Sequence, residues 1–175
     1  MIVYPLGISG QRLIFCPSVV AHFQKYRQLR WWQREAGGQL FPRFALPDIT
    51  VEEATGPHRG DWRTRFTYQP NRRAEQQEIA ERHRRGLHFV GDWHTHPEAV
   101  PTPSARDMQS MGELFARSEH ALNGFVLLIV GTDPAPRGLS VSLFDGTYCV
   151  ILPARRGALT EPEAPRTAKG LRRFI

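Results

Sequence analysis

The 175-residue sequence predicts one α/β domain in which helices flank a mixed sheet. Three observations predict it. Short runs rich in Val, Ile, Leu and Phe alternate with segments of helical period, no internal repeat or long linker divides them, and 41% hydrophobic residues suffice for one core without covalent staples. Cys16 and Cys149 are too few and too separated for a disulfide framework, and neither has a Cys-x-x-Cys partner. Both are expected to be buried small apolar residues in a reduced, cytoplasmic protein. The longest apolar run, Gly124 to Gly131, falls far short of the roughly 20 residues that span a bilayer, and no basic segment leads into a signal-type apolar run. Neither a membrane span nor secretion is expected.

Each element follows from its local pattern. Arg12 to Cys16 reads as a strand, and Pro17-Ser18 opens a helix with Val19, Phe23 and Tyr26 on one buried face, a pattern that Gly37-Gly38 ends. Trp31-Trp32 predicts core or helix-end packing, with a place along a substrate groove as the alternative. Gln39 to Phe44 and Ile49 to Ala54 predict strands joined by a Pro47-Asp48 turn, Thr55 to Arg63 a polar loop, and Arg65 to Tyr68 a short strand. Asn71 is a helix N-cap and Gly86 a stop. Between them Glu78/Arg82 and Glu81/Arg85 are supporting pairs, and the scarcity of apolar residues predicts a solvated face. Leu87 to His96 alternates as a strand, Pro97 to Pro103 is a rigid loop, and Ser104 to Ser118 is a helix with Met108, Met111, Leu114 and Phe115 in an apolar stripe. Strands at Phe125 to Val130, Leu139 to Phe144 and Thr147 to Leu152 follow, the last two joined at Asp145-Gly146. The domain thus covers residues 1–152, and the Pro-, Ala- and Arg-rich residues 153–175 read as a disordered tail.

Chemistry concentrates between Gly91 and Asp107. Side chains two apart on a strand share a face, so His94 and His96 can present two imidazoles to one ion while Thr95 points away. A short loop can return Asp107 as an oxygen ligand, and two His with one carboxylate leave a position for water, the ligand count of a catalytic zinc site. Ser104-x-x-Asp107 also matches a helix capping box. His88 shares strand parity with His94, but six residues of strand separate them by roughly 20 Å. His22, His58, His83 and His120 lie outside the pattern, with core, loop or surface roles. No P-loop or Gly-x-Ser-x-Gly pattern occurs in the sequence.

The run His94-Thr-His-Pro97, six residues, Ser104, two residues, Asp107 resembles the JAB/JAMM signature of MPN-domain zinc metallopeptidases. The resemblance runs from about residue 10 to about residue 150 and implies a curved mixed sheet with cytidine-deaminase-like layering. It makes His94, His96 and Asp107 the ligands of Zn²⁺ and Ser104 the hydroxyl that bonds the developing oxyanion. The family's upstream Glu, at the end of the first helix beside a Gly-x-Leu strand, has its match in Glu35, which becomes the general base. Where the family commonly has Gly this chain has Pro42, which removes a backbone donor from that strand.

Thr55-Gly-Pro57, Arg63-Thr-Arg-Phe66, Asn71 to Gln76, Gly91 to Glu98 and Pro101 to Ser104 resemble, more narrowly, the JAB peptidases of bacterial CBASS anti-phage operons. That resemblance implies an isopeptidase that cuts after the C-terminus of a conjugated cyclic-nucleotide synthase (CD-NTase), functionally linked to an operon E1/E2-type ligase. Two alternatives stand beside it: a JAB peptidase processing a β-grasp sulfur carrier or a bacterial ubiquitin-like protein, and a non-catalytic MPN scaffold, which generally lacks the intact ligands kept here.

The net charge of +6 would suit a nucleic-acid partner, but its distribution argues otherwise. Residues 153–175 hold six basic groups against Glu161 and Glu163, so +4 of the total belongs to the tail and the domain is nearly balanced. No base-reading module is present, and no specific nucleic-acid partner is expected.

Overall fold

Strand-forming runs covered on both faces lie inside the sheet, whether apolar throughout, as Phe125 to Val130 is, or carrying serines on one face, as Leu139 to Phe144 does. In the computed structural model, which describes residues 1–154, β8 (Phe125–Val130) and β9 (Leu139–Phe144) are buried at every position. Helices covering both faces of the sheet account for this uninterrupted burial. The remaining strands of the sheet are β1 (Ile2–Pro5), β2 (Arg12–Phe15), β3 (Gly37–Ala45), β4 (Asp48–Ala54), β7 (Gly91–Thr95) and β10 (Cys149–Ile151), in the order β1-β2-β4-β3-β7-β8-β9-β10. β2 with β4 and β7 with β8 run parallel, and the other neighbours antiparallel. A separate hairpin pairs β5 (Trp62–Arg63) with β6 (Tyr68–Gln69). The α/β class with a mixed sheet is as the sequence predicts.

α1 (Pro17–Tyr26) covers one face: its Phe23 lies 5.2 Å from the Trp93 ring and 6.0 Å from Phe15, all three fully buried. Burying each such side chain contributes about 1.5–3 kcal/mol. α3 (Ala105–Arg117) covers the other face, where Met111 packs with Phe125, Leu127, Ile129 and Phe144. α2 (Arg72–Arg84) joins α3 there, with the Arg82 guanidinium 5.1 Å from the centre of the Phe41 ring. Asn71 accepts from the Ala74 N–H at 3.3 Å to cap α2, and Gly86, with φ +75°, follows its end.

Several elements differ from expectation. α1 stops at Tyr26, well before Gly37-Gly38, because Arg27 turns to extended backbone (φ −52°, ψ 137°) and its guanidinium reaches the Thr132 carbonyl at 3.1 Å. The two glycines instead begin β3, so Glu35 lies outside the helix, in the segment that leads into the strand. The strand expected from Leu87 to His96 is ordered as strand only over β7, and that expected at residues 65–68 is the β5–β6 hairpin. β1 is not among the expected strands because its four residues, Ile-Val-Tyr-Pro, show no apolar/polar alternation, although their burial alternates. α2 is not wholly solvated: Glu75 is 2% exposed, and Arg82 turns inward between Glu53 and Glu78. Both cysteines are free and only half-buried, Cys16 as the N-cap of α1 and Cys149 at the start of β10. Trp31 and Trp32 are exposed instead of packed. Pro42 sits where the β3–β4 register shifts, at a bulge, so β3 stays paired on both sides without its N–H. The basic tail, from residue 155 onward, lies outside the described residues.

β3 comes close to Trp93 of β7 and to the Thr55-Gly56 segment after β4 because Gly37 and Gly38 have no side chains. A Cβ on Gly37 would lie 2.5 Å from the Tyr68 ring, and one on Gly38 would overlap the Thr55 carbonyl oxygen. Gly38→Ala is therefore expected to cost about 1–3 kcal/mol, read as a lowered urea midpoint at unchanged slope. An unchanged midpoint would refute the close-approach argument.

Candidate metal centre

Alternation along β7 sorts its side chains. Asp92 and His94 face a cleft of about 430 Å³, while Trp93 and Thr95 are buried away from solvent and Trp93 packs under α1. Beyond the strand end, the His96 N–H donates to the Val130 carbonyl at 2.9 Å, which places its ring beside that of His94. The Pro-rich loop then returns the chain to α3, whose first turn brings Asp107 to the two imidazoles.

The three donors converge. His94 Nε2 lies 3.1 Å from His96 Nε2 and 3.1 Å from Asp107 Oδ1, and His96 Nε2 lies 3.6 Å from Asp107 Oδ2. Ligands at 2.0–2.1 Å from a tetrahedral zinc stand about 3.3 Å apart, so the spacing fits one such ion. The capping box at Ser104-x-x-Asp107 forms without using up the carboxylate. The Asp107 N–H donates to Ser104 Oγ at 3.2 Å and the Ser104 N–H to Asp107 Oδ2 at 2.7 Å, a complete capping box, while Oδ1 remains turned toward His94. Burial opposes ionisation of Asp107, but hydrogen bonds and charge from His94, with the bonds from Ser104, outweigh it and hold the carboxyl well below its ordinary range. Burial, reinforced by His94, lowers the pKa of His96 and favours the neutral imidazole that a cation needs.

Glu35 reaches the same cleft from the other side. Its N–H donates to the Thr64 carbonyl at 2.7 Å, its carbonyl accepts from Arg63 Nε, and the next residue is pinned to β7 by Ala36 N–H to Thr95 Oγ1 at 2.9 Å and Thr95 N–H to Ala36 O at 2.8 Å. Thr95 in turn donates its hydroxyl to Gln28 at 3.1 Å. The residue between the two histidines thus holds the segment that carries Glu35. Glu35 is 5% exposed, and burial pushes its carboxyl up to about 7, with Asp107 raising it further and His94 pulling the other way.

The structure therefore brings Glu35, His94, His96, Ser104 and Asp107 to one cleft. The other histidines go elsewhere: His22 against Trp93, His58 to Glu78, His83 beside His88, and His120 against Phe115. Tyr68, Arg72, Asp92 and Arg106 also line the cleft and were missed. For Asp92 a signal existed, since it shares strand parity with His94. Its Oδ1 is buried without a hydrogen-bond partner, and burial and the neighbouring Glu75 raise its pKa.

The family model for prokaryotic homologs of the JAB domain matches residues 20–143, and the chain belongs to that family. Among curated relatives, a "CD-NTase/cGAS isopeptidase" of Vibrio cholerae is 34% identical over 122 residues, covering 68% of this chain and 76% of that one. One of the same name from Enterobacter hormaechei is 34% identical over 103 residues, and the match covers 58% of this chain and 57% of the relative's length. A "Probable metalloprotease" of Sinorhizobium fredii is 34% identical over 92 residues, 50% of this chain and 56% of that one. The solution structure of a Desulfitobacterium hafniense protein shares the fold with a TM-score of 0.60 at 17% identity, covering 79% of this chain and 88% of the other.

A carboxyl held near neutral by burial has a stability signature. The folded state keeps a proton that the unfolded chain releases between the ordinary 4.5 and about 7, so stability falls as pH rises through that window and the loss is complete above it. Glu35→Gln is expected to stabilise the chelator-treated protein by about 1–3 kcal/mol at pH 8 and by little at pH 4, read from urea midpoints. Equal effects at the two pH values would refute a buried, raised carboxyl.

Proposed function

We propose that this chain is a zinc-dependent isopeptidase that cuts after the C-terminus of a conjugated CD-NTase in anti-phage defence. The observation that carries the reading is a buried carboxylate, Glu35, facing the same cleft as three converging donors. Relatives named CD-NTase/cGAS isopeptidase support the choice of substrate.

In this reading His94, His96 and Asp107 hold the zinc. When bound in such a site, zinc lowers the pKa of water at its open position to about 7 and polarises a carbonyl. Glu35 takes the proton of the attacking water on its carboxylate and passes it to the departing amine nitrogen, whose bond to the carbonyl carbon breaks. Its seclusion from solvent keeps its basicity near that demand. Ser104 Oγ lies 2.7 Å from Asp107 Oδ2, so donating to the substrate oxygen requires its hydroxyl to turn from that carboxylate as charge grows on the substrate. Thr67, Tyr68, Met111 and Leu114 in the cleft wall hold the peptide. The Sinorhizobium relative, named a probable metalloprotease, supports the metal and the peptidase chemistry but names no substrate, and the second reading keeps that chemistry with a ubiquitin-like or sulfur-carrier protein as the substrate.

Incubation with conjugated CD-NTase is expected to release free synthase, and a chelator to stop the release until zinc is restored. Intact conjugates with zinc-loaded protein, alongside cleavage of a ubiquitin-like fusion, would move the conclusion to the second reading. Glu35→Ala is expected to lower turnover by about 10²–10⁴-fold with metal content unchanged by mass spectrometry, whereas His94→Ala loses the metal itself. Retained turnover in Glu35→Ala would remove it from the proton-transfer role.

A further inference from the structure

Between the end of α1 and Glu35 the chain displays large apolar side chains to water. Leu29, Trp31 and Trp32 are 57%, 77% and 60% exposed, and Phe66, in the loop joining β5 to β6, is 68% exposed. Exposed apolar groups clustered in this way mark interaction surfaces, and tryptophan in particular carries binding energy where it is presented on a rigid support.

The support here is rigid. Gln28 Nε2 donates to the carbonyls of Gln33 and Arg65 at 3.2 and 2.9 Å, the Arg30 N–H to Gln33 Oε1 at 2.7 Å, and Arg65 Nη1 to the carbonyls of Arg30 and Trp31 at 3.0 and 2.7 Å. These bonds tie the tryptophan segment to the loop that carries Phe66. The two indoles meet edge to face at 5.7 Å, with the Arg30 guanidinium 5.8 Å from the Trp32 ring and that of Arg65 5.6 Å from Phe66. Little ordering entropy remains to be lost when a partner lands on such a platform.

Two further facts say what the partner is. The platform is continuous with the cleft, because Phe66 lines both, and its segment runs directly into Glu35. It is also one-signed: residues 27–34 and 62–68 contain Arg27, Arg30, Arg34, Arg63 and Arg65 and no carboxylate. A second copy would bring this basic face against itself, which like charges oppose.

We propose that Leu29, Trp31, Trp32 and Phe66 dock the folded body of the protein whose chain end enters the cleft, and that this body presents apolar surface flanked by carboxylates. The inference rests on the isopeptidase reading and extends it from the peptide at the cut to the protein behind it.

Full-length protein is compared with Trp31→Ala/Trp32→Ala and with Arg30→Glu on two substrates: the folded CD-NTase conjugate and a short fluorogenic peptide with the same residues around the cut. For the folded conjugate, kcat/KM is expected to fall at least about tenfold, mainly through KM, while peptide cleavage stays within about twofold. Conjugate cleavage unaffected by either variant overturns the proposal, as does an equal loss on the peptide, which would mark the segment as support for Glu35 alone. Titration calorimetry with free CD-NTase separates this failure from failure of the isopeptidase reading. Binding lost in the double variant upholds the docking surface even if wild-type protein cleaves nothing, and absent or unchanged binding overturns it. A wild-type dimer in sedimentation that the double variant dissolves would assign the surface to a second copy and also overturn it.

Discussion

The pairing of β3 with β7 is the interaction on which the rest depends. Gly37 lies opposite His94 and Gly38 opposite Trp93, and with no side chain on either glycine the strand that follows Glu35 lies against the strand that carries the histidine. The ladder continues past the start of β3 through Ala36, bonded to Thr95 at the end of β7. Residues almost sixty positions apart are thereby set by backbone hydrogen bonds, the least adjustable contacts in a sheet. α1 backs the arrangement from beneath, its His22, Phe23 and Tyr26 all packing on Trp93.

The opposite wall is built by economy of a different kind. Asp107 closes the first turn of α3 with one carboxylate oxygen and faces His94 with the other. Local helix stability and assembly of the three donors are one event, so the loop from Pro97 to Pro103 delivers a group already oriented by its own helix. Glu35 shows the contrary bargain. Its burial costs folding free energy whenever it is ionised, and stable position comes from its backbone neighbours.

Much of this was legible in the residues. The period-two spacing of His94 and His96 and the short return to Ser104 and Asp107 need only local geometry, as do Asn71 as a cap and the stripe on α3. What was not legible depends on distant partners. Nothing between Pro17 and Gly38 announces that the helix ends at Tyr26, because the competing contact, Arg27 to Thr132, lies 105 residues away. Glu35 was found through resemblance, but its departure from the helix follows from the sheet. Trp31 and Trp32 look like core residues by hydrophobicity alone, and only the fold leaves them in water. Pro42 seemed to threaten β3 because a missing donor is plain in sequence, whereas the bulge that absorbs it belongs to the β3–β4 register.

α3 also turns its amino end toward the cleft, where Ser104, Arg106 and Asp107 line the wall. The aligned peptide dipoles place roughly half a positive charge there. That partial charge works against a cation resting beside Asp107 and in favour of any oxygen that gains negative charge during reaction. In the proposed reading that charge therefore acts in opposite senses on the metal-loaded resting site and on the charge-separated one: the fixed dipoles weaken the hold on the cation and favour the growing negative charge, without having to reorganise as charge moves.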